Sequence, residues 1–180
     1  MIVGLMGNIG SGKDTVAEIL IKHHGFTSLS FADALKDTAS VIFGWPRELL
    51  EGKSSQSRQW REQVDHWWAE KLGIEHLTPR WVLQQLGTNV MRTHFHSEIW
   101  VATVERKIRD CTGPVVVTDI RFPNEAQAVI AQSGTVWHVH RGETPEWWNL
   151  AVTATTEQHP EQAQAQQLLA QQGVHPSEWS

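Results

Sequence analysis

Gly7-Asn8-Ile9-Gly10-Ser11-Gly12-Lys13 follows directly on Met1–Met6, an apolar run that reads as a short buried strand. It leads into Asp14–His24, where Val16, Ala17, Ile19 and Leu20 recur at helical spacing. Strand, glycine-lysine loop and helix in register form the G-x-x-x-x-G-K phosphate cradle. Its glycines let backbone N–H groups converge on phosphate oxygens, and the helix N-terminus adds partial positive charge. Lys13 then bridges the β- and γ-phosphates, so Gly7, Asn8, Gly10, Ser11, Gly12, Lys13, Asp14 and Thr15 make up the candidate nucleotide site. The position after the lysine commonly carries a Ser or Thr that ligates Mg²⁺; here it is Asp14, followed by Thr15. A carboxylate suits that hard ion directly or through water. Asp14 is thus a candidate metal ligand and Thr15 a phosphate contact, or the reverse; the plainer reading of Asp14 is an acid balancing the helix dipole.

Working outward, Gly25 stops the first helix and Phe26–Phe31 alternates as a second strand would. Ala34–Phe43 is expected to be helical, closed by Gly44-Trp45-Pro46, and residues 51–73 to be helical after a flexible start. Thr78-Pro79 begins a helix running to Arg92, and Glu98–Arg109 forms another. Pro114-Val115-Val116-Val117-Thr118-Asp119 is a continuous apolar run ending in a carboxylate, the pattern of a central parallel strand. A carboxylate so placed can position Mg²⁺ opposite a phosphate loop, which makes Asp119 the third candidate metal ligand. A helix over Asn124–Gln132, a strand over Thr135–His140 and one exposed helix over 151–172 complete the reading. Strands alternating with helices argue for an α/β chain with a parallel sheet covered on both faces.

Composition narrows the function. The 40% apolar and 19% charged fractions of this 180-residue chain are globular values, suited to one domain, residues 1–180. The formal net charge is −5; residues 1–140 hold 14 basic and 15 acidic side chains, and 141–180 hold 1 and 5. A uniformly basic nucleic-acid-coating protein is excluded, though a local basic groove is not. Cys111 is the only cysteine, which excludes an internal disulfide and a cysteine-based zinc site and suits a reducing cytoplasm. No apolar run approaches the roughly 20 residues that cross a bilayer, and a strand at the start leaves no basic secretory leader. A cytoplasmic setting with no membrane partner is therefore expected. Ten tryptophans without a tyrosine, and ten histidines, are the compositional oddities.

Five blocks occur in order: Gly10-Ser11-Gly12-Lys13-Asp14-Thr15, Phe31-Ala32-Asp33-Ala34-Leu35-Lys36, Leu83-Gln84-Gln85-Leu86-Gly87-Thr88, Ile99-Trp100-Val101 and Asp119-Ile120-Arg121-Phe122-Pro123-Asn124-Glu125. With His175-Pro176-Ser177-Glu178 they span nearly the whole chain, which resembles the bacteriophage-type deoxynucleoside monophosphate kinases, a branch of the P-loop kinases. The resemblance implies a three-layer P-loop kinase fold: a parallel central sheet flanked by helices, with a helical acceptor-side insertion at about 45–110. Residues 142–180 are expected to supply a lid or C-terminal helical segment, although no Lys or Arg lies beyond Arg141. Relatives are expected to continue past Ser180 with a further strand and helix. ATP and Mg²⁺ are the implied co-reactants and a deoxynucleotide the implied acceptor, with a second copy of the chain as a candidate partner. An infected host cell is the implied setting. The same resemblance extends to enzymes that phosphorylate the hydroxymethyl group of 5-hydroxymethyluracil in phage DNA.

Chemistry separates the two acceptors in principle. A monophosphate attacks with an oxygen that is already anionic and asks for cations, whereas a hydroxymethyl group gains from a general base. Asp33 is a candidate base or acceptor contact, or simply a helix cap, and Lys36 is one turn further on. Arg121, two residues after Asp119, is the first choice for stabilising transition-state charge. Arg80 and Arg92 flank the Gln84 helix and can hold an acceptor phosphate, while Gln84 can pair with a pyrimidine edge or serve as a buried cap. Trp100, with Trp60, Trp67, Trp68 and Trp81, offers stacking surface or plain core packing. A nucleotide-binding regulatory protein that transfers nothing is the rival from another class.

Overall fold

β1 (Ile2–Met6), β2 (Thr27–Leu29), β3 (Val115–Ile120) and β4 (Thr135–His138) form a wholly parallel sheet in the order β2-β3-β1-β4. The structure is a computed structural model and describes residues 1–8, 10–143, 147–155 and 160–172. The block at His175–Glu178 lies outside the described residues. Valines fill β3 because a parallel strand covered on both faces has no polar side; Val115, Val116 and Val117 are buried. On one face Val3, Leu5 and Val116 pack with Ala17 and Leu20 of α1 (Lys13–His24). On the other, Gly4 lies against Val129 of α7 (Pro123–Ala131), and a side chain at residue 4 would collide with Ile120. Helix, sheet and helix make the three layers expected of the P-loop kinase fold.

Local signals behave as their chemistry dictates. Gly25 ends α1 at φ 69°, its N–H bonded to the Leu20 carbonyl. The Thr78 hydroxyl accepts from the Trp81 N–H at 3.1 Å, with Pro79 at the first position of α5 (Pro79–Gln84).

The chain divides into two compact units, Met1–Ser30 with Lys107–Ser180, and Phe31–Arg106. The first holds the sheet. The second is helical: α2 (Ala32–Phe43), α3 (Ser55–Arg61), α4 (His66–Leu72), α5, and most of α6 (Ile99–Asp110). Its core of Ala39, Trp45, Leu50, Leu77 and Val82 is surrounded by Phe43, Trp60, Trp68 and Trp81. Three of the five tryptophans expected on the acceptor side thus pack this core, and Trp67 is 58% exposed.

Two expectations change. The helix expected to run from Pro79 to Arg92 is α-helical only to Gln84; Gln85–Phe95 is π-helical, with the His96 N–H bonded to the carbonyl of Met91 five residues back. Gly87 sits so close to α2 that an added Cβ would lie 2.7 Å from Leu35 Cδ2, and its carbonyl accepts the Trp100 indole N–H at 2.9 Å. The wider turn places the Thr93 hydroxyl on the Thr88 carbonyl at 3.1 Å. The single exposed helix expected over 151–172 is instead α8 (Trp148–Thr155) and α9 (Gln162–Gln171), which bury Ala151, Ala154, Ala165 and Leu169 against each other. Alanines among glutamines read as an exposed face; here they are the small residues that let two helices approach.

Candidate active site

The loop after β1 leaves the sheet at its carboxyl edge, where ligands of open α/β sheets bind. Gly7, Gly10 and Gly12 have φ of 143°, 80° and 97°, a conformation that side chains rarely adopt. A side chain at Gly7 would meet the Val139 carbonyl oxygen, and lie 3.0 Å from Ser11 Oγ. The Ser11 hydroxyl is buried and has no hydrogen-bond partner among the described residues. A buried orphan hydroxyl inside a loop of positive-φ glycines fits a phosphate, which would satisfy it.

Lys13 bends back over its own loop, donating to the carbonyls of Gly7 at 2.5 Å and Asn8 at 2.8 Å. Burial lowers its pKa from the ordinary 10.5; Arg121 adds to the lowering and Asp14 opposes it. Arg121 therefore acts on the same electrostatic site as the lysine. A polyanion there would relieve both cations.

Asp119 lies one residue before Ile120, which pairs with Met6, so its carboxylate stands at the same sheet edge as the phosphate loop. Ser30, just past β2, donates to Asp119 Oδ2 at 2.6 Å. Ser30 carries no motif of its own and is 89 residues away, so spacing could not have found it. The turn after β3 is built around Glu125, only 2% exposed, whose Oε2 accepts from the backbone N–H of Arg121 at 2.8 Å and of Phe122 at 3.2 Å. Pro123 opens the helix, and Glu125 reaches back to the N–H of the N-cap Phe122, the half of a capping box that a phenylalanine at the cap allows.

Among the described residues no group of three or more His, Cys, Asp or Glu could by itself hold a metal ion. Asp14 and Thr15 are exposed at the start of α1, and Asp119 is half-buried. That donor set suits Mg²⁺, which takes one or two carboxylates and completes its octahedron with phosphates and water. We expect Ser30→Ala to weaken Mn²⁺ binding to the ADP-bound protein about tenfold, with Ser30→Thr restoring it, because the bond holds the carboxylate in one orientation. Mn²⁺ titration by electron paramagnetic resonance reads this; unchanged affinity would show that Asp119 needs no such support.

The acceptor-side candidates lie in the helical unit. Asp33 pairs with Arg47 at 3.3 Å, and Lys36 with Glu51 at 2.9 Å. Arg47 also pairs with Asp37 at 2.5 Å and with Glu51, so one guanidinium joins three carboxylates. Asp33 caps nothing: it sits in the first turn of α2, whose N-cap is Phe31. Burial pushes the Glu51 carboxyl up, but the hydrogen bond and charge of Lys36, then those of Arg47, outweigh it and hold the group below its ordinary value. Stability from Glu51 is therefore present above the ordinary carboxylate range and lost as pH falls through its lowered value. Glu51→Gln should lower the Tm by about 2–4 °C at neutral pH and flatten its fall as pH drops below the ordinary carboxylate range, as thermal melts would show.

Arg80 pairs with Glu62 at 2.6 Å and is exposed, Gln84 is exposed rather than a buried cap, and Arg92 is half-buried in the π-helical segment. Trp100 is 6% exposed and uses its indole N–H on Gly87, so it supports the Gly87-Thr88 turn.

A phosphate loop after an interior parallel strand, flanked by a carboxylate at the end of the neighbouring strand, is the arrangement of a P-loop nucleotide-binding fold, the class to which P-loop kinases belong. A family model described as deoxynucleotide monophosphate kinase matches residues 51–170. The chain is 32% identical over 155 residues to an Acanthamoeba polyphaga mimivirus protein named as a deoxynucleotide monophosphate kinase, covering 78% of this chain and 74% of that one. It is 30% identical over 178 residues to the deoxynucleoside-5'-monophosphate kinase of Escherichia phage T5, covering 71% and 70%. The chain belongs to the deoxynucleotide monophosphate kinase family, and is a kinase. Neither relative lends support to the hydroxymethyluracil reading. No helix of the described residues is long and apolar enough to cross a membrane.

Proposed function

We propose that this kinase moves the γ-phosphoryl group of ATP to a deoxynucleoside monophosphate of pyrimidine type, giving a diphosphate and ADP. The observation that carries the reading is the loop itself: three positive-φ glycines, an orphan Ser11 hydroxyl and a folded-back Lys13 at the edge that also holds Asp119. In the reaction an anionic oxygen of the acceptor phosphate forms the new P–O bond, and the bond to the bridging β–γ oxygen breaks. No proton has to be removed from the acceptor, so the site needs charge and positioning more than a base.

Lys13 exchanges its two loop carbonyls for β- and γ-phosphate oxygens, and the loop amides and Ser11 hold the rest. Asp14, Thr15 and Asp119 are the residues that would hold Mg²⁺, which when bound neutralises charge on the triphosphate. Arg121 stabilises charge on the group in transfer. On the acceptor side Asp33, Lys36, Arg80, Gln84 and Arg92 are the proposed binding set, with the buried Trp100 serving it through the Gly87 carbonyl it holds. Asp33, Lys36 and Arg80 reach a ligand only by loosening their present ion pairs. Holding two cations on internal carboxylates keeps them ordered until an anion arrives.

The test is γ-labelled ATP offered separately to deoxynucleoside monophosphates, unmodified DNA and hydroxymethyluracil DNA. Label should appear in a deoxynucleoside diphosphate. Label confined to hydroxymethyluracil DNA would move the acceptor to the base. Label in no acceptor, with ATP bound, would leave a nucleotide-binding regulator.

A further inference from the structure

β1 has two neighbours at the phosphate-loop edge, and they carry opposite chemistry. β3 ends in Asp119 and Arg121, suited to phosphate and metal. β4 ends in aromatic rings. Met6 pairs with His138, and the Val139 N–H donates to the Met6 carbonyl at 2.8 Å, so the backbone leaving β4 runs flush with the start of the loop at Gly7.

From there four rings follow one another. His140 lies 6.3 Å from His138 at 56°; His138 stacks on Trp148 at 5.7 Å and 17°; Trp148 lies 6.3 Å from Trp147 at 42°. Trp147 packs on the α8–α9 pair, while His138 and His140 are exposed and Trp148 is half-buried. Beyond Arg141 the chain has no Lys or Arg, so no guanidinium from that segment can cover a base. Flat rings left in water beside a phosphate loop are suited to a planar heterocycle tethered to those phosphates.

We propose that His140, His138 and Trp148 form a stacking platform for the purine base of the nucleoside triphosphate donor. The proposal rests on the donor-site reading above and adds to it the place of the base. His138 is backed by Trp148, on which it stacks, and the exposed rings of His138 and His140 are the surface open to a base. The charged side of β1 takes the phosphates and the aromatic side takes the base, so one ligand bridges two neighbouring strand ends.

The experiment compares two probes by isothermal titration calorimetry: ADP, which has a base, and inorganic tripolyphosphate, which has none. Wild-type protein should bind ADP the more tightly. His140→Ala and Trp148→Ala should each weaken ADP about tenfold and leave tripolyphosphate within about twofold. Trp148→Phe should keep ADP within about threefold, because a phenyl ring still stacks. His140 is exposed, so its replacement tests the platform even if Trp148→Ala fails to fold. ADP affinity unchanged in His140→Ala, or an equal loss for both probes, would overturn the platform and leave the donor site standing. Neither probe binding to the wild type would remove the donor site, and the platform with it.

Discussion

Replacing Lys13 by alanine should reduce phosphoryl transfer at least about 10³-fold while the protein stays folded. The loss is large because Lys13 occupies the mouth of the loop, on the carbonyls of Gly7 and Asn8. The fold should survive because these contacts join residues of one loop and not the core. Coupled assays with saturating acceptor, beside a thermal melt, check both halves. Turnover near the wild-type level would remove the loop from the chemistry.

The lysine also predicts a pH dependence. Its pKa in the free protein is lowered, by burial first and by Arg121 second, so below that value the protonated form is held at a cost. Phosphates favour the ammonium, and binding them raises the pKa again. Nucleotide affinity should therefore fall as pH rises through the lowered value, beginning below the ordinary 10.5. The alkaline limb should vanish in Lys13→Ala.

Gly7→Ala carries the second large effect, on stability as well as binding. The residue has φ 143°, and its new methyl would collide with the Val139 carbonyl, which is backbone and cannot rotate aside. Strain at such a φ costs about 1–3 kcal/mol and overpacking a similar amount, so the Tm should fall by about 5–15 °C. ADP affinity should drop at least about tenfold, since the shift opens the joint between loop and β4. Gly10→Ala is the control: φ is 80° but nothing lies within 4 Å, so only backbone strain applies and the Tm should fall by about 2–4 °C. Equal losses at the two positions would show that the Val139 contact does not hold the loop.

Local chemistry explains which parts of this protein could be read from the chain alone. The phosphate loop, the stop at Gly25, the cap at Thr78-Pro79 and the valine strand that carries Asp119 near its end all depend on neighbours a few residues away. Short-range sterics and hydrogen bonding determine such features, so the sheet layers and the turn of the glycine-lysine loop were legible, and the ordered blocks pointed to the family. What needed the folded chain depends on residues far apart in sequence. Gly87 against Leu35, and Trp100 on the Gly87 carbonyl, go with a π-helical Gln85–Phe95 where α-helical spacing was expected. The alanines of 151–172 look exposed until α8 and α9 meet. Ser30 on Asp119, Arg47 among three carboxylates and His138 on Trp148 are likewise meetings that no periodicity encodes. A motif is written where its backbone turns, whereas a side chain's partner is chosen only when distant segments pack.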